Sequence, residues 1–564
     1  MRLSSEPIPI AAPPARVRTC RLAIPAVLLF VGVTALLLRV DTNHLVFTND
    51  EGIILDAASR MLHGQTLYRD FFGYMSPGSY WLQEGAFRLF GESQFAGRLI
   101  VILDFALECA LVFWMTARLA GRKAGFLAAA LFFAFQATPP ELLTAQHRMD
   151  STALSLGSIA LCLEGQRRRG WYWFAGGITV SAAALCTPSV ALLAPVTLLW
   201  IAVTPSLRRF LISYAGGALA GVLAIVAALW ATGLLFPMLG QIAWLGRNYT
   251  SVNYMPYGSL IGGYRQALAQ GPTVLGAALL LCSVLPAVLP VAALAGWTAS
   301  LAGDRIERKW AVENGVPYLL AAMAVYVAIE YPRADVMHLA FVAPLPYVLA
   351  GAWVARHLPR LVALSLTLFL GLGGTLFLAE AARGFTGQTR VRTPAGTLRA
   401  SPQDAAALQQ LLARIHPGDS LYVHPYMPLL YFLTQAVNPT RFSYLAPGMM
   451  TLREERVALG ELHANPPQWV LWLPLSRPEF LRVFPNAGKL AHGFPTLEAW
   501  MRHEYRPLNP PVIVAGYQLF SRIDIGRRSP AFPVTPPYVR VRIRRFGGLS
   551  YRPPVNLGIP SESK

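Results

Sequence analysis

The sequence predicts a membrane protein of all-α type: a polytopic bundle of about eleven transmembrane helices with a small C-terminal α/β domain outside the cytoplasm. Three observations predict it. Of 564 residues, 54% are hydrophobic and only 14% are charged, where soluble domains carry roughly 25%. Apolar runs recur along the first two thirds of the chain, near the ~20 residues that cross a hydrocarbon core. The arginines sit in short clusters between those runs, which is how orientation in the bilayer is encoded. The net charge of +19 is therefore read as topology and not as a nucleic-acid footprint, and no nucleic-acid partner is expected. Four lysines stand against 44 arginines, a bias expected of GC-rich bacterial coding.

Residues 22–40 follow Arg16, Arg18 and Arg21 and carry no small-x-small cleavage site, so they predict a retained signal anchor behind a cytoplasmic tail of residues 1–21. Further runs fall at 97–117, 124–139, 151–164, 171–186, 188–203, 211–233, 271–300, 314–329, 338–355 and 361–380. With the N-terminus inside, the inner loops carry Arg118/Arg122/Lys123, Arg167/Arg168/Arg169, Arg208/Arg209, Arg305/Arg308/Lys309 and Arg356/Arg360. Every inner loop is then basic, provided that 171–203 crosses twice around Cys186-Thr187-Pro188. An odd number of crossings places the C-terminus outside, in the periplasm of a bacterial inner membrane. The membrane region is thus 22–380, with long outer loops at 41–96 and 234–270.

Loops of that length carry function more often than connection. In the first, Ile53, Ile54, Ala57, Ala58, Met61 and Leu62 recur at helical spacing, which predicts an amphipathic helix lying in the interface plane. Residues 381–564 turn soluble in composition. Ser401-Pro402 opens a helix with Ser as N-cap and Pro in the first turn, and strands are expected at Leu421–Val423, Trp469–Leu473 and in a hairpin around Ala515-Gly516. Residues 538–546 alternate arginine with apolar residues, so one strand face is a basic stripe, most simply a solvated one. All five cysteines lie at or before Cys282, so the C-terminal domain has no disulfide.

Candidate chemistry gathers on the outer side. Asp50-Glu51 follows the first span by about ten residues; it is either a solvated acid pair or a general base taking the proton of an attacking hydroxyl at the membrane surface. Gln146-His147-Arg148-Met149-Asp150 stands at the mouth of a later span, as an interfacial anchor or as the second acid and arginine of the same rim. Arg247 and Arg265 lie among Trp244, Tyr249, Tyr254 and Tyr257: a belt of interface aromatics, or a sugar platform with arginine clamps for phosphate. Arg333 and His338 share a short outer turn with Asp335, as a turn ion pair or a phosphate site. Asp104 and Glu108, one turn apart inside a span, are expected to face the bundle interior, as structural partners of Arg98 or other helices, or as lining of a substrate cavity. No Gly-x-x-x-x-Gly-Lys-Ser/Thr loop and no Asp-x-Asp occurs, which disfavours an ATP-driven pump and a metal-chelating nucleotide-sugar enzyme. No Cys/His spacing suggests zinc, no cofactor is expected, and a divalent metal is not indicated.

From Asp50-Glu51-Gly52 the loop continues through Gly64-Gln65-Thr66-Leu67-Tyr68-Arg69-Asp70, Ser76-Pro77-Gly78-Ser79-Tyr80-Trp81-Leu82, Phe90-Gly91-Glu92 and Arg98. This ordered set resembles the first outer loop of the GT-C membrane glycosyltransferases, in the branch of protein O-mannosyltransferases and the lipid A aminoarabinose transferase. The resemblance implies transfer of a sugar from a polyprenyl-phosphate donor to an acceptor outside the cytoplasm, a lipid, glycan or protein, with inversion at the sugar. It implies Asp50 as base beside Glu51, Asp150 as the acid of the next outer loop, and Tyr68, Arg69, Asp70 and Tyr80 in the substrate loop. Arg148, Arg247, Arg265, Arg333 and His338 would hold the donor phosphate. The oligosaccharyltransferase signature Trp-Trp-Asp-Tyr-Gly is absent. Met75-Ser76-Pro77 stands where aminoarabinose transferases carry Lys-Pro-Pro, so a lipid A acceptor is not implied. The competing reading is a transporter or flippase of lipid-linked glycans using the same arginines with Asp104 and Glu108, though the chain lacks the two repeated halves such a protein would show. A scaffold for envelope assembly, binding through its outer domain, is a third.

Overall fold

A computed structural model describes residues 20–167, 170–260, 283–446, 449–474 and 494–523. Arg265, Cys282, the first part of the 271–300 run and the arginine stripe at 538–546 lie outside them. The expected helical membrane region and the C-terminal strands are both present. Helix α1 (Cys20–Val40) leads into an outer segment with α2 (Asn49–Leu62) and α3 (Pro77–Phe90), and then into the long α4 (Gln94–Ala120). The Ser93 hydroxyl caps α4 by accepting from the Ala96 amide at 3.2 Å, and Gly121, at φ 91°, ends it. There follow α5 (Arg122–Gln136), α6 (His147–Gly165), α7 (Trp171–Cys186), α8 (Leu193–Val203), α9 (Leu211–Ala231) and α10 (Leu235–Asn248). After the undescribed stretch come α11 (Leu285–Gly303), α12 (Arg305–Glu313), α13 (Val316–Ala328), α14 (Val336–Phe341), α15 (Pro344–His357) and α16 (Arg360–Gly384).

Five described helices are long and apolar enough to cross a membrane: Leu22–Val40, Gln94–Ala120, Arg208–Ala231, Leu285–Gly303 and Arg360–Gly384. The pair α12–α13, bent by 68°, makes a sixth if it acts as one span. The eleven crossings expected from apolar runs are thus not all met by length and composition. The remaining runs fold as helices that are short, such as α5 and α7, or interrupted by polar groups, such as α6 with His147, Arg148, Asp150 and Glu164.

Inside hydrocarbon, helices associate through close backbone contact at small residues. Helix α7 presents Gly177 and Ser181, and α9 presents Gly217 and Gly221, each pair four residues apart. A Cβ at Gly217 would stand 2.0 Å from the Phe174 carbonyl oxygen, so no larger residue fits that crossing. The Ser181 hydroxyl seals it by donating to the Ala218 carbonyl at 3.0 Å.

The C-terminal domain begins four residues beyond α16 with a hairpin, β1 (Thr389–Thr393) and β2 (Gly396–Ala400). As expected, Ser401 caps the next helix, α17 (Pro402–Leu412), accepting from the Asp404 amide at 3.1 Å. A mixed five-stranded sheet follows from β3 (Leu421–His424), β4 (Trp469–Trp472), β5 (Tyr505–Pro507), β6 (Ile513–Val514) and β7 (Tyr517–Arg522). Its order is β3-β4-β7-β5, with β6 also on β7, and only the β3–β4 pair is parallel. Helices α18 (Leu429–Thr434), α19 (Leu452–Ala464) and α20 (Pro495–Glu504) complete it. The expected hairpin turns at Ala515 and Gly516, with φ of 50° and 85°, the backbone twist that a two-residue hairpin requires.

One expectation needs correction. The apolar face of α2 does not lie against the interface plane. Ile53, Ile54, Ala57, Ala58 and Met61 are buried in one hydrophobic cluster with Leu429, Leu430, Phe432 and other residues of the C-terminal domain. The approach is so close that a Cβ at Gly52 would stand 2.2 Å from the Leu429 backbone nitrogen. The Arg60 guanidinium crosses the same junction, donating to the Ser443 hydroxyl at 2.9 Å and to the Thr440 carbonyl at 3.2 Å.

Candidate functional site

Thr48 enters α2 in extended conformation, and Asp50 and Glu51 fill its first turn, where negative charge suits the helix dipole. Adjacent residues on a helix point about 100° apart, so the two carboxylates separate. Glu51 turns inward and is fully buried with Arg98 of α4. Arg98 grips it with two nitrogens: Nε donates to Oε1, and the second bond, to Oε2, is 2.9 Å. The third arm of Arg98 donates to Asp41 at 3.1 Å. Burial pushes the Asp41 carboxyl up to about 6 against the pull of Arg98. Asp104 and Glu108 are therefore not the partners of Arg98. Asp104 lies instead against Asp150.

Asp50 points outward and is exposed, and among the described residues no side chain hydrogen-bonds or ion-pairs with it. It is close enough to act electrostatically on Tyr74, Arg148, Tyr249 and Arg333. Those residues come from four segments. Arg148 is in the first turn of α6 and ion-pairs with Glu330. Burial pushes Glu330 up to about 7, with Arg148 pulling the other way. Arg333 reaches Asp335 at 3.0 Å, and His338 Nδ1 lies 3.0 Å from the same carboxylate. Asp335 also caps α14, accepting from the Met337 and His338 amides. Burial alone would raise Asp335, but His338 and Arg333 hold it well below the usual carboxylate range. The segment after α10 is zipped to this turn by Met255 N to Pro332 O and Gly258 N to Ala334 O, both 2.8 Å.

Aromatic rings wall this rim. Tyr74 stacks on Tyr249 with centroids 6.2 Å apart and meets Tyr444 of the C-terminal domain edge-on at 5.7 Å. Phe72 meets Trp244 at 5.1 Å. Asp150, two residues beyond Arg148, is buried beside Asp104 and Ser79. Asp50, which acts on Arg148, and Asp150, two residues beyond Arg148, therefore lie at the same end of the bundle.

The other expected residues disperse. Tyr68 is buried at φ 66° and donates its hydroxyl to the Met75 carbonyl at 2.6 Å, shaping the loop. Arg69 and Asp70 form an exposed pair at 3.0 Å, and Asp70 is held down at about 2 by Arg69 and the Thr66 amide. Tyr80 is fully buried. Arg247 is exposed and donates to the Ala243 carbonyl of its own helix at 3.0 Å. Arg265 lies outside the described residues. Among the described residues, no group of three or more His, Cys, Asp or Glu side chains could hold a metal ion. Sequence reasoning missed Tyr74, Glu330 and Tyr444. Glu330 follows the apolar helix α13 by two residues, just before Tyr331-Pro332, a signal that could have found it; Tyr74 and Tyr444 carry none, because only the fold brings them to the rim.

Comparison with known proteins gives two findings. The sequence profile of the dolichyl-phosphate-mannose-protein mannosyltransferase family matches residues 75–231. The structure of ArnT from Cupriavidus metallidurans bound to undecaprenyl phosphate shares the fold, with a TM-score of 0.54 over 89% of this chain and 99% of that one, at 16% identity. The apo form of that enzyme and the oligosaccharyltransferase of Archaeoglobus fulgidus, with TM-scores of 0.47 and 0.43 at 16% and 12% identity, are more distant. They cover 84% and 80% of this chain and 99% and 67% of their own, and carry no argument alone. No curated protein sequence matches the chain significantly.

Proposed function

We propose, from the premise that this chain is related to the GT-C membrane glycosyltransferases of the ArnT, oligosaccharyltransferase and protein mannosyltransferase branch, that it transfers a sugar from a polyprenyl-phosphate donor to an extracytoplasmic acceptor. The observation that carries the reading is Asp50: an exposed carboxylate without a described partner, within the fields of Arg148 and Arg333 and beside an aromatic wall. A carboxylate set aside from all ion pairs is free to accept a proton. The shared fold with an enzyme crystallised on undecaprenyl phosphate supports a lipid carrier of that class.

In this reading the acceptor hydroxyl attacks the anomeric carbon while the carbon–oxygen bond to the donor phosphate breaks. Asp50 takes the hydroxyl proton, the electron pair leaves with the polyprenyl phosphate, and the anomeric configuration inverts. The leaving phosphate needs charge stabilisation more than protonation, the part assigned to Arg148, Arg333 and His338, with Arg265 from the 234–270 loop. Asp150 orders the first turn of α6 behind Arg148. Glu51, sealed by Arg98, acts on Asp50 by fixing the turn that presents it, and takes no proton itself.

The same reading makes the chain a multi-pass protein of the bacterial inner membrane, with its N-terminus inside, eleven crossings and residues 381–564 in the periplasm. Its support is that the expected runs outside the five long helices also coincide with helices. The test is Asp50→Asn, expressed in a strain deleted for the gene, with envelope glycans and lipid-linked sugars read by mass spectrometry. The expected loss is about 10²–10⁴-fold in transfer with an unchanged melting temperature. Wild-type product levels in that strain would remove Asp50 from the chemistry.

A further inference from the structure

The hairpin β1–β2 exposes a feature that the transfer reaction does not use. Residues alternate along a strand, so Arg390, Arg392, Thr397 and Arg399 share the outer face while Val391 and Leu398 are buried beneath. The register sets Arg390 directly opposite Arg399. Like charges in that position destabilise a strand pair, and among the described residues none of the three arginines ion-pairs with a carboxylate. Beside this face is a concavity of about 650 Å³ lined by Arg390, Arg392, Thr397, Gln409, Leu412 and Ala413, with no acid in its wall.

The place of the hairpin is equally specific. It begins four residues after α16 ends. Its outer edge joins the chain just beyond α1, through Leu45 N to Arg399 O at 2.8 Å and Arg399 N to Asn43 O at 2.6 Å. Gln388 Nε2 binds both His44 Nδ1 at 2.7 Å and the Gly384 carbonyl at 2.9 Å. The arginine face is therefore mounted on the ends of two helices long and apolar enough to cross a membrane.

We propose that this face is a binding site for the phosphate of an anionic phospholipid headgroup, which bridges Arg390 and Arg399 and relieves their repulsion. Guanidinium forks suit phosphate oxygens, and a phosphate diester between Arg390 and Arg399 supplies the counter-charge that the hairpin itself lacks. The site steadies the C-terminal domain on the membrane and is independent of the transfer chemistry, so it stands or falls separately from the role of Asp50.

The test uses the full-length protein in dodecyl maltoside, titrated with phosphatidylglycerol, phosphatidylcholine or inorganic phosphate and read by native mass spectrometry. Wild type is expected to hold one phosphatidylglycerol in preference to phosphatidylcholine. In R390Q/R392Q/R399Q that site weakens about 100-fold, roughly fivefold per arginine. A second variant, R390Q alone, is expected to bind phosphatidylglycerol more weakly yet melt higher than wild type in lipid-free detergent, because one member of the repelling pair is gone. A merely structural arginine would not move these two readouts in opposite directions. Equal phosphatidylglycerol retention by wild type and the triple variant overturns the proposal, as does a lower melting temperature for R390Q. Displacement of the lipid by inorganic phosphate at equal concentration would assign the site to a soluble anion and overturn it as well.

Discussion

Two clusters at the same end of the molecule are built from the same chemistry, arginine facing carboxylates, and they differ in what surrounds them. Around Arg98, with Glu51 and Asp41, the side chains are 0%, 0% and 2% exposed, and every arm of the guanidinium is used. Around Arg148 and Arg333, the arginine side chains are 14% and 16% exposed, and one oxygen of Glu330 has no hydrogen-bond partner among the described residues. The sealed cluster has no capacity left for a ligand. Among the described residues the rim cluster has one unused acceptor, an adjacent carboxylate without a partner at Asp50, and an aromatic wall. The difference teaches that two adjacent carboxylates, Asp50 and Glu51, divide into an exposed one and a sealed one through helix geometry.

The contrast can be broken first at its sealed side. Arg98→Ala leaves two buried carboxylates without a counter-charge, and such a loss costs about 3–5 kcal/mol. Arg98→Lys cannot reproduce the fork. Both variants should melt lower and be found in reduced amounts in membranes, whereas Asp50→Asn keeps the wild-type melting temperature. An Arg98→Ala protein as stable as wild type would dissolve the distinction.

The next effect in size tests how the α2 platform is held from above. Gly52→Ala drives a methyl into the backbone of α18 and should cost about 1–3 kcal/mol. Limited proteolysis should then release the C-terminal domain faster than in wild type. The smallest effect sharpens the rim. Glu330, raised to about 7 by burial, is neutral at pH 6 and ionised at pH 8, with Arg148 and Asp335 the charged groups that face it. Neutral Glu330 releases Arg148 toward an anion, so donor KM should rise roughly threefold to tenfold as pH climbs through 7. Glu330→Gln should hold the low KM across that range. A KM that climbs equally in the variant would place the titration elsewhere.

Much of the fold was legible because it is written locally. Ser401-Pro402 carries its own cap, Ala515-Gly516 its own turn, and the apolar runs their own helices. The spacing of Ile53, Ile54, Ala57 and Ala58 revealed an amphipathic helix but not its cover. A stripe of apolar residues states that it must be buried and is silent on whether lipid or protein buries it, and here the C-terminal domain does. The neighbourhood of Asp50 was legible in its chemistry, since Arg148, Arg333 and Tyr249 were all candidates from sequence. Its closure was not. Tyr444, which meets Tyr74 at the wall, lies hundreds of residues downstream, and no periodicity reports such a pairing.

The junction between α2 and the C-terminal domain also has a consequence for biogenesis. Arg60 and Ser443 bond across 383 residues of chain, which a ribosome adds in roughly 20–80 s at ~5–20 residues per second. For that interval α2 stands with its apolar side bare. It needs a temporary cover, and an apolar helical face finds one at a membrane interface. The nascent protein thus trades a provisional cover for a protein lid, and the rim around Asp50 closes only when the last third of the polypeptide has been made.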